Sequence, residues 1–160
     1  MISAAFLELV DAKIRTTIAE PAAALGAETQ ALALRAGKRV RPRLVHACAE
    51  ALGLPVRSAV TWAALVELIH VASLIHDDVI DRAEVRRGQP SLRSRQGDRR
   101  AVLGGDLLIC ATWLTASREL RADLTAVLAQ AMIAMTGAEW HERDLQWNPD
   151  VEPARYFRVI

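Results

Sequence analysis

The sequence predicts an all-α fold, and three observations carry the prediction. Hydrophobic residues make up 52% of the 160 and aromatic residues only 4%, an alanine-rich composition that favours helices over a β-sandwich. Apolar residues recur every three or four positions among charged ones through most of the chain. No stretch alternates with the period of a strand, and no repeat, low-complexity tract or linker interrupts the chain, which reads as one domain over 1–160.

Taken in order, Ala5, Leu9 and Ile18 sit among Glu8, Asp11, Lys13 and Arg15 at amphipathic spacing, predicting a helix over 4–20 that Pro21 ends or follows with the next. A second helix runs to about Leu34, and Gly37 breaks it. After the cluster Lys38, Arg39, Arg41, Pro42 opens a helix that Gly53 and Pro55 close. Ser58 is the expected N-cap of a long, mostly apolar helix over 59–81, buried on more than one face. Residues 82–98, with Gly88, Pro90 and Gly97, read as a loop. Helical pattern resumes near Arg99, breaks around 118–123 and continues to Trp147. Asn148 and Pro149 end it, and 151–160 begins another helix.

A formal net charge of +1 argues against a chain built to wrap nucleic acid. Cys48 and Cys110 lack the paired spacing of a zinc site and read as reduced core thiols of a cytoplasmic protein. The N-terminus shows no signal peptide, and no transmembrane segment is expected: the apolar stretch 101–116 falls short of the roughly 20 residues a bilayer needs and contains Asp106.

The chemistry gathers at the end of the long helix. Asp77 and Asp81 are four apart and stack on one helical face, with Asp78 offset by about 100°. They crowd the negative end of the helix macrodipole, where each anion costs about 0.3–1 kcal/mol. A cation justifies that placement, and Mg²⁺ suits one or two carboxylates completed by water and phosphate oxygens. The alternative is an exposed acidic helix end paired with Arg82, Arg86 and Arg87. Lys38, Arg39, Arg41 and Arg43 form one basic group and Arg86 and Arg87 another. Two basic groups beside a magnesium site imply two phosphorylated ligands.

In this combination the chain resembles the trans-isoprenyl (polyprenyl) diphosphate synthases. GKRVRP, ELIHVASLIHDDVID, RRGQPS and AVLGGDLL occur in that family's order and spacing, with DDVID matching its first aspartate-rich motif. The likeness covers 34–160. It implies a helical bundle of the isoprenoid synthase type around a deep cavity, of which this chain corresponds to the N-terminal half. It implies condensation of isopentenyl diphosphate with an allylic diphosphate into a longer trans-polyprenyl diphosphate. By motif, Asp77 and Asp81 match the magnesium-binding aspartates and Asp78 their companion. Lys38, Arg41 and His70 match isopentenyl diphosphate contacts, with Arg87 a further one, and Arg86 matches the residue holding the allylic diphosphate. His70 lies two turns before Asp77, on the same face. His46, His76 and His141 match no ligand position and read as structural.

The implied chemistry is electrostatic: Mg²⁺ and arginines stabilise departing diphosphate, and the isopentenyl double bond attacks the allylic cation in a dry cavity. Bulk one turn above the aspartates limits product length in the family, so small Ala72 and Ser73 imply a product longer than fifteen carbons. The family's second aspartate-rich motif and distal Lys-Thr pair are not found here, and Glu142 stands where a Gln is common. Two explanations stand, a fragment or truncated product and one natural half of a two-chain enzyme. Self-association or a partner chain is expected, with Leu145, Val151, Tyr156, Phe157 and Ile160 as the contact edge. The alternatives are a non-catalytic partner subunit of a heteromeric synthase and a terpene synthase-type fragment, the second disfavoured by two diphosphate-binding motifs.

Overall fold

The computed structural model describes residues 4–35 and 37–157. It contains eight α-helices and one short hairpin among those residues, and two compact units, Met1–Glu119 and Leu120–Ile160.

In the first unit, α1 (Ala4–Ala19) buries Phe6, Val10, Ile14 and Ile18, a stripe at every fourth position. The carbonyl of Pro21 accepts from the N–H groups of Ala24 and Leu25, both at 2.9 Å, and so starts α2 (Ala22–Leu34). Helix α3 (Val40–Ala51) places Pro42 at its third position, where a missing N–H costs no helical hydrogen bond. Helix α4 (Val60–Ile80) packs against α1, α3 and α6. Its buried residues include Ala63, Leu65, Leu68, Ile69, Ala72 and Ile75, which lie on more than one face as expected.

Together with the turn before it, α4 forms the stretch 56–80, the one helix among the described residues long and apolar enough to cross a membrane by length and composition. The sequence had suggested only 101–116 for that comparison. The apolar character of α4 is spent on helix packing, and the helix ends in three aspartates.

Several local expectations are corrected. Ser58 does not cap α4; it sits in a 3₁₀ turn (Val56–Ala59) and its hydroxyl donates to the Pro55 carbonyl at 2.6 Å. Residues 82–98 are more ordered than a loop. Strands β1 (Val85–Arg86) and β2 (Gln89–Pro90) pair antiparallel, and Ser91 caps α5 (Leu92–Gln96) by accepting from the Ser94 N–H at 2.9 Å. The hairpin turn holds Arg87 at φ 52° and Gly88 at φ 73°, the left-handed pair a two-residue turn needs to match strand twist. Strands of two residues leave no periodicity to read. The two cysteines are not core thiols: both are exposed, because α3 and α6 each bury one stripe and Cys48 and Cys110 fall outside it.

The most extensive helix contact joins α4 to α6 (Asp98–Glu119), which buries Ala101, Gly104, Gly105, Leu108 and Ala111 while Val102 and Leu103 face out. A Cβ on Gly105 would fall 2.3 Å from Nε2 of His76, whose ring also lies 3.1 Å from the Val102 carbonyl and 3.4 Å from Asp106. His76 is thus structural, as expected. So is His46, buried against the Phe6 ring at 4.7 Å and paired with Glu50 at 3.2 Å.

The second unit holds α7 (Ala122–Leu145) and α8 (Pro153–Tyr156), the latter shorter than the helix expected over 151–160. Leu128 is buried, whereas Ile133, Met135, Trp140 and Trp147 are exposed. Of the expected contact edge, Leu145 and Val151 are half-buried, Tyr156 and Phe157 are exposed, and Ile160 lies outside the described residues.

Gly105→Ala should destabilise the fold by about 1–3 kcal/mol through overpacking against His76. Urea unfolding measures it, and adding His76→Ala to Gly105→Ala should recover part of the loss, since the two residues share one space.

Candidate functional site

The site is built on one stripe of α4. Glu67, His70, Val71, Leu74, Ile75 and Asp78 recur at helical spacing and form one wall of a cavity of about 640 Å³. The turn from Gly37 to Arg41 forms a second wall, and the hairpin with its Arg86 and Arg87 a third. All five residues expected to contact diphosphates, Lys38, Arg41, His70, Arg86 and Arg87, therefore line one space. They come from three segments that the chain keeps up to 49 positions apart, Lys38 to Arg87.

The end of α4 aims the hairpin. Arg82, at φ 55°, takes the left-handed position after the helix cap, where its N–H donates to the Val79 carbonyl at 3.2 Å and that of Ala83 donates to Asp78 at 2.9 Å. Ser91 then ties the far side of the hairpin back, donating through Oγ to the Ala83 carbonyl at 2.7 Å and through N–H to Glu84 at 2.9 Å. Within this frame Arg86 Nε lies 2.5 Å from Oδ1 of Asp78, a carboxylate only 3% exposed. The arginine pairing weighed against a metal is thus real for Asp78 alone among the three aspartates.

Asp77 and Asp81 are not in the cavity wall. At seven and eleven residues beyond His70 they continue its line along the helix past the cavity, Asp77 half-buried and Asp81 exposed. Burial pushes the Asp77 carboxyl above the usual carboxylate range; Arg86 opposes that shift, and the negative charges of Asp81 and Asp78 add to it. A carboxylate strained by burial and by like charges is a donor set that a divalent cation relieves, so these residues fit Mg²⁺. No group of three or more His, Cys, Asp or Glu converges on one point among the described residues, so Asp77 and Asp81 would share the ion with oxygens of ligand and solvent.

Burial, followed by the positive charges of Arg41, Arg87 and Arg86, lowers the pKa of His70 to about 4. Its ring is neutral at pH 7 and can donate a hydrogen bond without adding another cation to the cavity. Ala72 does not border open space: it is fully buried in the core, while Ser73 is half-buried and donates through its hydroxyl to the His70 carbonyl at 3.0 Å.

One residue of the first basic group does something the sequence did not reveal. Arg39 lines the cavity beside Lys38 and Arg41, yet it is 5% exposed, with Nη2 2.8 Å from Asp11 of α1 and Nη1 3.1 Å from Glu67 of α4. A run of basic residues carries no sign of which one is buried.

A profile of the family described as Polyprenyl synthetase matches residues 23–160, and the chain belongs to that family. Its similarity to a geranylgeranyl diphosphate synthase of Methanosarcina mazei is 31% identity over 129 residues, covering 78% of this chain and 40% of that protein. An octaprenyl diphosphate synthase of Haemophilus influenzae is 32% identical over 124 residues, covering 78% and 38%. The crystal structure of a decaprenyl diphosphate synthase from Rhodobacter capsulatus superposes with a TM-score of 0.83 at 31% identity, covering 98% of this chain and 49% of that one. The chain thus spans two-fifths to one half of the length of these relatives, and its helices have the fold of the matching part of an isoprenoid synthase.

The His70 ring should titrate far below the 6.5 of a free histidine, near pH 4, in NMR spectra. The unfolded chain takes up this proton near pH 6.5, so the stability linked to the neutral ring is complete above that pH and lost as pH falls toward 4. Inorganic diphosphate bound beside the ring should raise the midpoint, because an anion favours the imidazolium. Separately, Ala72→Phe should cost about 1–3 kcal/mol of stability by overpacking, read from the urea midpoint.

Proposed function

We propose that this chain carries the diphosphate-binding part of a prenyltransferase that joins isopentenyl diphosphate to an allylic diphosphate. The observation that carries the reading is a cavity with six cationic residues, Arg35, Lys38, Arg39, Arg41, Arg86 and Arg87, and a neutral histidine in its walls, together with apolar Val71, Leu74 and Ile75. Lys38, Arg41 and Arg87 hold the isopentenyl diphosphate, and His70 donates to it. Arg86 holds the allylic diphosphate, and Asp78 keeps that guanidinium in place. Asp77 and Asp81 hold Mg²⁺, which when bound neutralises the leaving diphosphate and lowers the barrier to its departure.

In the reaction the allylic C1–O bond breaks, the double bond of isopentenyl diphosphate forms a new bond to C1, and a proton leaves the resulting cation to the released diphosphate. Arg86 stabilises the departing negative charge, and Val71, Leu74 and Ile75 keep water from the cation. Catalysis is proposed together with further polypeptide corresponding to the remaining length of the relatives, from a second copy, a partner chain or continuous sequence. Exposed Ile133, Trp140 and Phe157 support a surface that such polypeptide covers.

Calorimetry with a non-reactive allylic thiodiphosphate tests the metal assignment. Magnesium should increase its affinity for the parent chain, and Asp77→Ala should abolish that increase; an unchanged magnesium effect in the variant would refute the role of Asp77. Lys38→Gln should weaken isopentenyl diphosphate about tenfold or more, the loss of one charge-assisted hydrogen bond, and leave the allylic analogue nearly unaffected. Equal losses for both ligands would refute the division of the two sites.

A further inference from the structure

Arg39 occupies a position that diphosphate binding does not account for. It follows Lys38 directly and precedes Arg41 by two residues, yet its guanidinium is buried and spent on two carboxylates from separate helices, Asp11 of α1 and Glu67 of α4. Its backbone is left-handed, at φ 47° and ψ 43°, a conformation that residues other than glycine adopt rarely. The turn built on that conformation puts Lys38 and Arg41 in the cavity wall, with the Arg39–Glu67 ion pair between them and the core. The backbone of the turn is held from α3 as well: Arg43 donates through its N–H to the Arg39 carbonyl at 3.0 Å and through Nε to the Lys38 carbonyl at 2.9 Å.

The electrostatics of the site require such an anchor. Lys38, Arg41, Arg86 and Arg87 repel one another around His70, and Arg86 alone among these four has a carboxylate partner within the cavity wall. A turn bearing two of those charges is pushed outward unless something on its buried side pulls it in. Arg39, between two acidic groups, supplies that pull, and Glu67 lies one helical turn before His70, so the clasp registers the turn against the histidine.

We propose that Arg39 is a positioning residue of this site: clasped by Asp11 and Glu67, it fixes the left-handed turn that presents Lys38 and Arg41, so that Asp11 helps set the affinity for isopentenyl diphosphate. Asp11 lies on α1, which contributes no residue to the cavity wall, and cannot touch a ligand there. The proposal rests on the reading of the cavity as an isopentenyl diphosphate site, and it adds to that reading the two residues that hold the site's shape.

Calorimetric titration of the full chain with isopentenyl diphosphate tests it on the parent, Asp11→Asn, Arg39→Gln and the double variant. Asp11→Asn, half-exposed and nearly isosteric, keeps the test available if Arg39→Gln does not fold. Each single substitution should weaken binding about fivefold to tenfold, and the double variant should lose little more than Arg39→Gln alone, as expected of two members of one network. The His70 ring supplies a readout that a stabilising role alone does not move: burial holds its titration midpoint low in both proteins, but as Arg41 drifts away in Asp11→Asn that midpoint should rise above about 4 in NMR spectra. Parent-like affinity and an unshifted His70 in Asp11→Asn, even with a lowered melting temperature, would overturn the proposal. A loss confined to Arg39→Gln would overturn it too, by making Arg39 a direct ligand. A parent chain that binds neither isopentenyl nor inorganic diphosphate would instead refute the reading of the cavity, and the proposal with it.

Discussion

Mutual repulsion among the cations gathered in one cavity is the constraint around which the first unit is arranged. Lys38, Arg41, Arg86 and Arg87 converge on the face of α4 that carries His70, and burial, reinforced by the charges of Arg41, Arg87 and Arg86, keeps His70 neutral. Such a concentration of positive charge is unfavourable in the absence of an anion and strongly favourable in its presence. Each segment that delivers a cation is accordingly fastened from behind. The Lys38–Arg41 turn is clasped through Arg39 to α1 and α4, and the hairpin is pinned by Ser91 and by the Arg86–Asp78 pair.

Those fastenings need a rigid helix to work against, and close packing makes α4 one. Small residues on α4 and α6 let the two helices approach until the His76 ring fills the space above Gly105. One helix then has three duties. Its inner faces close the core, one stripe forms the apolar and polar wall of the cavity, and its C-terminal turn presents carboxylates. The site and the core share residues only one helical step apart: Ile75 packs in the core and borders the cavity, and Asp78 follows it by one turn.

The charged end of α4 shows how two roles are separated within five residues. Asp78 is buried and paired with Arg86, while Asp77 is half-buried and Asp81 exposed. A helix rotates about 100° per residue, so adjacent aspartates necessarily face different partners. The carboxylates and the cavity cations meet at Arg86, which pairs with Asp78 and opposes the upward shift of Asp77.

Much of this was legible before any coordinates. Helical periodicity placed α1, α4, α6 and α7 within a few residues, because a long amphipathic pattern has one dominant way to bury its apolar face. The motifs named the residues that line the cavity, since charge type and spacing are local properties of a chain. What the sequence could not determine depends on neighbours distant along it. Arg39 looks like Lys38 and Arg41 until a left-handed turn and two remote carboxylates bury it. Ala72 looks like space left open until packing closes the core over it, and the two cysteines look apolar until α3 and α6 each choose one face to bury. The hairpin that carries Arg86 and Arg87 is too short to show a period and is defined by its pairing and by Ser91. The sequence by itself determined which elements form and which chemical groups the chain offers. Tertiary structure decided which of those groups face the cavity, because burial and ion pairing are settled by whichever segments the packed helices bring together.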